Sequence, residues 1–168
     1  MVSPELLRRY PFFAGFSPDQ LTTIAMAAEE LTVEAGHRFF NEGDDLTTLY
    51  LVIEGSVAIS LSMPEKGSRS VLPPPAGQAR EIVVSVVRAS EVFSWSALVP
   101  PGKATSNARA EEACRIVAID CGALREHIER DPAFGYQLLL RVAQVARDRI
   151  QDLHVEALAS AAGASVEP

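Results

Sequence analysis

Between residues 33 and 98, short runs with apolar alternation are broken at regular intervals by Gly and Asp, and this rhythm confines the chain to a small β-barrel or jelly roll. Residues 38–40 predict one strand and Asn41-Glu42-Gly43-Asp44-Asp45 a turn with a φ > 0 position for Gly43. Residues 49–53 predict the next strand. The pair Glu54-Gly55 then predicts a tight turn that folds residues 56–61 back against it. Residues 81–87 are apolar at nearly every position, which predicts a strand covered on both faces. Residues 92–98 predict a strand end and a helical turn, halted by Pro100-Pro101-Gly102, and residues 106–110 and 114–119 predict the last two strands.

The flanks have helical signals. Residues 4–9 predict a short helix with Pro4 in its first turn. The turn Pro11-Phe12-Phe13-Ala14-Gly15-Phe16 carries three aromatics, expected to pack on the barrel. Ser17-Pro18-Asp19-Gln20 has the order of a capping box, and its helix is expected to run to about Glu30 with Leu21, Ile24, Ala25 and Ala28 on one face. Asp120 is placed to cap a helix ending near Arg130, and Asp131-Pro132 to open a final helix ending near Ala159. On that helix Leu139, Val142, Ala146, Ile150, Leu153 and Ala157 recur at three- and four-residue steps, the stripe of a coiled-coil seam. A helix of roughly 25 residues spans about 40 Å, longer than so small a barrel covers, so the expected partner is a second copy of the chain, the alternative being that the stripe packs on the chain's own barrel.

The fold class is therefore mainly β with flanking helices: a double-stranded β-helix or jelly-roll barrel with N-terminal helices and a long C-terminal helix. The expected division is an N-terminal helical segment (1–32), a β-barrel (33–120), C-terminal helices (121–159) and a disordered tail (160–168). Residues 62–80, with Gly67, Gly77 and Pro73-Pro74-Pro75, predict a long exposed hairpin loop that is either an inert insertion or a flap or partner-docking loop.

The 168 residues suit one domain with a core that needs no disulfide or metal. A net charge of −7 argues against a nucleic-acid-binding domain, which needs a basic surface to neutralise phosphate. No apolar run has membrane-spanning length, and no cationic-then-apolar leader opens the chain, so the expected location is the cytoplasm. Cys114 and Cys121 are too few for a disulfide framework and read as small core residues.

With these residues laid out, the chain resembles the cyclic-nucleotide-binding domains of catabolite-activator-type regulators and cyclic-nucleotide-dependent kinases. The likeness rests on Phe12-Phe13 through Ile24, Gly36, Gly43-Asp44, Leu49-Tyr50, Glu54-Gly55, Arg109-Ala110 through Ile119-Asp120, and the final helix, and it covers about residues 6–153. The resemblance implies a phosphate-binding cassette. In it a Gly-Glu pair opens a short helix that holds the cyclic phosphate, the Glu takes the ribose 2′-hydroxyl, and an Arg about nine residues later neutralises the phosphate.

Here the Gly position is Ser94, the Glu position Trp95 and the Arg position Ala104, with Lys103 beside it. An indole donates but accepts nothing, and a lysine lacks the planar fork of arginine, so cyclic AMP and cyclic GMP are expected to bind weakly or not at all. Trp95 either fills the vacated pocket or offers a stacking platform for another planar ligand. The candidate ligand-binding residues are Glu91, Ser94, Trp95, Ser96, Ala97, Lys103, Ala104 and Thr105. Family regulators carry a helix-turn-helix after the long helix; this sequence is expected to have none, and so no DNA-binding role.

Three functions compete. One is a stand-alone regulatory or interaction module with a degenerate pocket. Another is a sensor that takes a nucleotide or other anion through Lys103, Ser94, Ser96, Thr105 and the short helix. The third, a cupin-type enzyme, fits worst, because His37, His127 and His154 are scattered and no nucleophile elbow or glycine-rich phosphate loop appears. No catalytic residue, metal site or cofactor is expected. Glu42, Asp44 and Asp45 read as turn chemistry, Lys103 and Arg109 as exposed cations, and Arg141, Arg147 and Arg149 as partners for Asp148 and Asp152.

Overall fold

The computed structural model describes residues 2–63 and 80–164. Eight strands run in chain order: β1 (Ala28–Val33), β2 (Arg38–Phe40), β3 (Thr48–Glu54), β4 (Ser56–Met63), β5 (Arg80–Arg88), β6 (Val92–Phe93), β7 (Asn107–Ala110) and β8 (Cys114–Asp120). They form two four-stranded antiparallel sheets, β1-β8-β3-β6 and β2-β7-β4-β5. Four helices flank them: α1 (Pro4–Arg8), α2 (Pro18–Met26), α3 (Cys121–Arg130) and α4 (Pro132–Ala164). The mainly β architecture with flanking helices and a long C-terminal helix is the one that the strand rhythm predicts.

The caps lie where the residue types place them. The Gln20 N–H donates to Ser17 Oγ at 3.2 Å while the Ser17 N–H donates to Gln20 Oε1 at 3.0 Å, a complete capping box on α2. Asp120 Oδ1 accepts from the N–H groups of Gly122 and Ala123, and Asp131 Oδ1 from those of Ala133 and Phe134.

Several boundaries and pairings differ from the expectations. Helix α2 stops at Met26, and residues 28–33 form β1, paired with β8 from Ala28↔Ile119 to Val33↔Cys114. Ladder pairing overrides the helix-forming preference of Ala28-Glu29-Glu30. The Glu54-Gly55 turn does not close a hairpin: β3 pairs with β8 and β6, whereas β4 pairs with β5 and β7, so Gly55 carries the chain from one sheet to the other. Gly43 does take the positive φ expected of it, +89°.

Strand β5 is an edge strand rather than a doubly covered one, with Ile82 and Val83 41% and 51% exposed. Helix α4 continues to Ala164, past the expected stop near Ala159 and into the segment read as a disordered tail. The pairing Met63↔Arg80 makes β4 and β5 the arms of a hairpin, and the proline-rich segment read as its loop lies outside the described residues.

Strand β8 is buried at Ile116, Val117, Ala118 and Ile119 in succession, which requires cover on both faces. Phe12, Phe13 and Phe16 are buried, but Phe16 meets Phe134 of α4, at 5.9 Å, so this turn fastens the long helix as well as the barrel. Phe93 lies 4.9 Å from both Phe39 and Tyr50, joining the two sheets beside the cassette segment. No helix among the described residues is long and apolar enough to cross a membrane.

Candidate functional site

Strand β6 delivers the chain into the cassette segment. Ser94 sits in the left-handed region (φ 63°), and residues 95–98 make one 3-10 turn, closed by the Ala97 N–H on Ser94 O at 3.0 Å. Arg125 of α3 donates to Ala97 O and ties the turn to the helical layer. Residues 102–104 then zip onto the turn before β3. The Leu46 N–H donates to Gly102 O, the Ala104 N–H to Asp44 O and the Gly43 N–H to Ala104 O.

This zipper decides which way the side chains point. Lys103 forms an isolated bridge with Asp45, its Nζ 2.6 Å from Asp45 Oδ1, and both side chains are more than half exposed. Ala104, its neighbour, is buried. Alternation along an extended chain turns one outward and the other inward. A pair so exposed contributes little to stability.

A cavity of about 950 Å³ lies between the barrel and the C-terminal half of α4. Its apolar wall is built by Phe40, Leu46, Ile59, Leu61, Val83, Val87 and Phe93, and its cassette side by Ser94, Trp95, Ser96, Ala104 and Thr105. Glu91 also lines it. The structure thus brings six of the eight expected residues to one cavity: Glu91, Ser94, Trp95, Ser96, Ala104 and Thr105. Ala97 is not among them, being packed in the core, and Lys103 faces away. Trp95 is half-buried on the wall and leaves the cavity open. The Ser94 Oγ is buried without a hydrogen-bond partner among the described residues.

Sequence reasoning missed the cavity's most enclosed cation. Arg149 lines the cavity from α4 with its side chain only 21% exposed. Its Nη1 donates to Ser85 Oγ at 3.2 Å, and its guanidinium lies 3.6 Å from Glu91 and 3.8 Å from Asp152. It therefore does more than pair with Asp152 on a solvated face. Helical spacing shows that Arg149 and Asp152 are neighbours, but nothing local shows that this part of α4 lies over the end of β5. Arg147 pairs with Asp148 on an exposed face, as expected, whereas Arg141 departs from the expectation and reaches Ala14 O and Gln144.

No histidine or cysteine lines the cavity among the described residues. Burial pushes both thiols up, Cys121 to about 11, so each is held as neutral SH at neutral pH. This set of groups can enclose and orient a ligand.

A profile of the "Cyclic nucleotide-binding domain" family matches residues 30–131. The chain belongs to the cyclic nucleotide-binding domain family. A Geobacter metallireducens protein assigned to cyclic-nucleotide binding, known from its crystal structure, is 32% identical and superposes with a TM-score of 0.74 over 89% of this chain and 99% of its own. The CRP-like cAMP-activated global transcriptional regulator of Mycobacterium tuberculosis is 28% identical over 85% of this chain. This cyclic nucleotide-binding domain spans 58% of that regulator's length. The catabolite activator protein of Thermus thermophilus shares the fold at 23% identity, with a TM-score of 0.63 over 89% of this chain and 63% of its own.

Proposed function

We propose that this domain is a non-catalytic regulatory module that does not hold cyclic AMP or cyclic GMP through the cassette contacts of its family. One observation carries this reading: Trp95 and Ala104 stand together on the cavity wall while Lys103 is turned outward to Asp45. A cyclic phosphate there would meet an alanine methyl where its countercharge is needed, and a ribose hydroxyl would meet an indole that accepts no hydrogen bond. The M. tuberculosis relative is named for activation by cyclic AMP, and these positions are the reason to read this chain differently. The openness of the cavity favours a sensor of another small molecule over a module that acts by protein contact alone. The apolar residues exposed along α4 support action as a homodimer.

Thermal unfolding scanned against cyclic AMP and cyclic GMP tests the reading. A ligand at ~100 times its dissociation constant stabilises by ~2.7 kcal/mol, a rise of about 5–10 °C in Tm for a domain of this size. No rise is expected for either nucleotide at millimolar concentration. The double variant Trp95→Glu, Ala104→Arg is expected to gain a rise with cyclic AMP. A large rise for the unaltered chain overturns the reading.

A further inference from the structure

The cavity wall is more apolar than polar, and its best-enclosed charge is a cation whose hydrogen-bonding capacity is not filled among the described residues. A guanidinium has five N–H donors in a rigid fork. Among the described residues Arg149 makes one neutral hydrogen bond, to Ser85, and its two carboxylate neighbours stay at 3.6 and 3.8 Å. Charge-assisted contacts close to about 2.7–2.9 Å when they form. Glu91 is already held elsewhere, its Oε2 accepting from the Arg88 N–H at 2.7 Å. Asp152 is largely exposed, so water weakens its claim on Arg149.

Resting on the sensor reading above, we infer that the cavity takes an amphipathic mono-anion: a carboxylate on a sizeable apolar body, the body against Phe40, Ile59, Leu61, Val83 and Trp95, the carboxylate on the free side of the Arg149 fork. Planar bidentate pairing is what a guanidinium offers a carboxylate. The lining carboxylates Glu91, Asp152 and Glu156 outnumber the lining cations Arg88 and Arg149, which disfavours a ligand with several negative charges and sets this class apart from nucleoside di- and triphosphates. The cation comes from the long helix and not from the cassette, so the ligand holds α4 against the barrel.

Calorimetric titration of the full chain with octanoate, decanoate and dodecanoate below their micelle concentrations tests this, with decanol, decylamine and cyclic AMP as comparisons. Trp95, the single tryptophan, reports by its emission whether the bound molecule is in the cavity. Saturable one-to-one binding is expected, tightening about threefold to fourfold per methylene. Decanol is expected to bind about tenfold more weakly than decanoate, the worth of a hydrogen bond to a charged group. Arg149→Leu should remove that difference while decanol binding is kept. Val83→Asp, on a half-exposed strand position where folding tolerates a charge, should weaken every chain molecule.

A folded protein that binds no alkanoate, that prefers decylamine, or that loses decanoate and decanol equally with Arg149→Leu overturns the inference. So does a Val83→Asp variant with unchanged affinity, which would place the amphiphile elsewhere. Tight binding of cyclic AMP would instead overturn the functional reading beneath it, so the two failures are distinct.

Discussion

Ser94 is strained twice. Its φ of 63° is a region that side chains other than glycine enter at a cost, and its hydroxyl is buried without a partner among the described residues. Replacing it by glycine removes both penalties. Ser94→Gly is expected to raise stability by about 1 kcal/mol, after allowing for the greater freedom of glycine in the unfolded chain, or about 2–4 °C in Tm. Differential scanning calorimetry of the two proteins decides it. Cys121 sets a pH dependence of known sign. Burial raises its thiol from the usual value near 9 to about 11. Between those values the unfolded chain has lost the proton and the folded chain keeps it. Its contribution is therefore complete below pH ~9 and falls by up to about 2–3 kcal/mol as pH rises towards 11. Urea unfolding of the unaltered chain minus that of Cys121→Ala, from neutral pH upward, should show this loss. A difference curve flat with pH would deny it. At this scale the cassette positions could be named because the family resemblance sets them by spacing, the Ser94-Trp95 pair first and Ala104 about nine residues later. Arg149 could not, since its surroundings are made by strands some sixty residues away in the chain.

Strand identity follows from local alternation, but strand partnership does not, and the turn at Gly55 shows why. A glycine between two apolar runs looks the same whether it closes a hairpin or hands the chain from one sheet to the other. What distinguishes them here is the close approach of β8: a Cβ on Gly55 would come within 2.7 Å of both Ala113 O and Cys114 Sγ, at a φ of +92°. Gly55→Ala must then displace backbone as well as adopt an unfavourable conformation, and it is expected to cost about 2–4 kcal/mol. Gly43 has a positive φ but open space around it, so Gly43→Ala should cost only the conformational part, about 1 kcal/mol. Equal losses in a denaturant series would refute this account of the sheet crossing. Strand β5 teaches the same lesson. Its valines were read as doubly covered, yet they lie at a sheet edge, where Val83 faces the cavity between barrel and helix. Apolar composition records that a surface is not left to water alone, without saying what covers it.

Helix α4 joins the site to the whole molecule. Its 33 residues span about 50 Å. Phe134, Leu138 and Val142 are buried against the chain's own core. Val142 thus leaves the seam that the sequence suggested. With Val142 replaced by Ala143 and with Tyr136 added, the stripe Tyr136, Leu139, Ala143, Ala146, Ile150, Leu153 and Ala157 keeps strict heptad spacing, and its large members are all at least half exposed. A second copy of the same helix matches such a seam, with alanines allowing close approach. The unaltered chain is expected to sediment as a dimer at tens of micromolar, and Leu139→Glu, Ile150→Glu to sediment as a folded monomer, because like charges would then meet across the seam. Leu153 belongs to that stripe and also lines the cavity, four residues on from Arg149. A molecule bound there would touch the proposed pairing surface, and whatever bias its occupancy puts on dimerisation, dimerisation returns on occupancy by the same factor. Sedimentation at several concentrations, with and without saturating decanoate, should give dimer dissociation constants that differ severalfold. Identical constants would mean that the cavity and the seam are energetically separate despite sharing a residue.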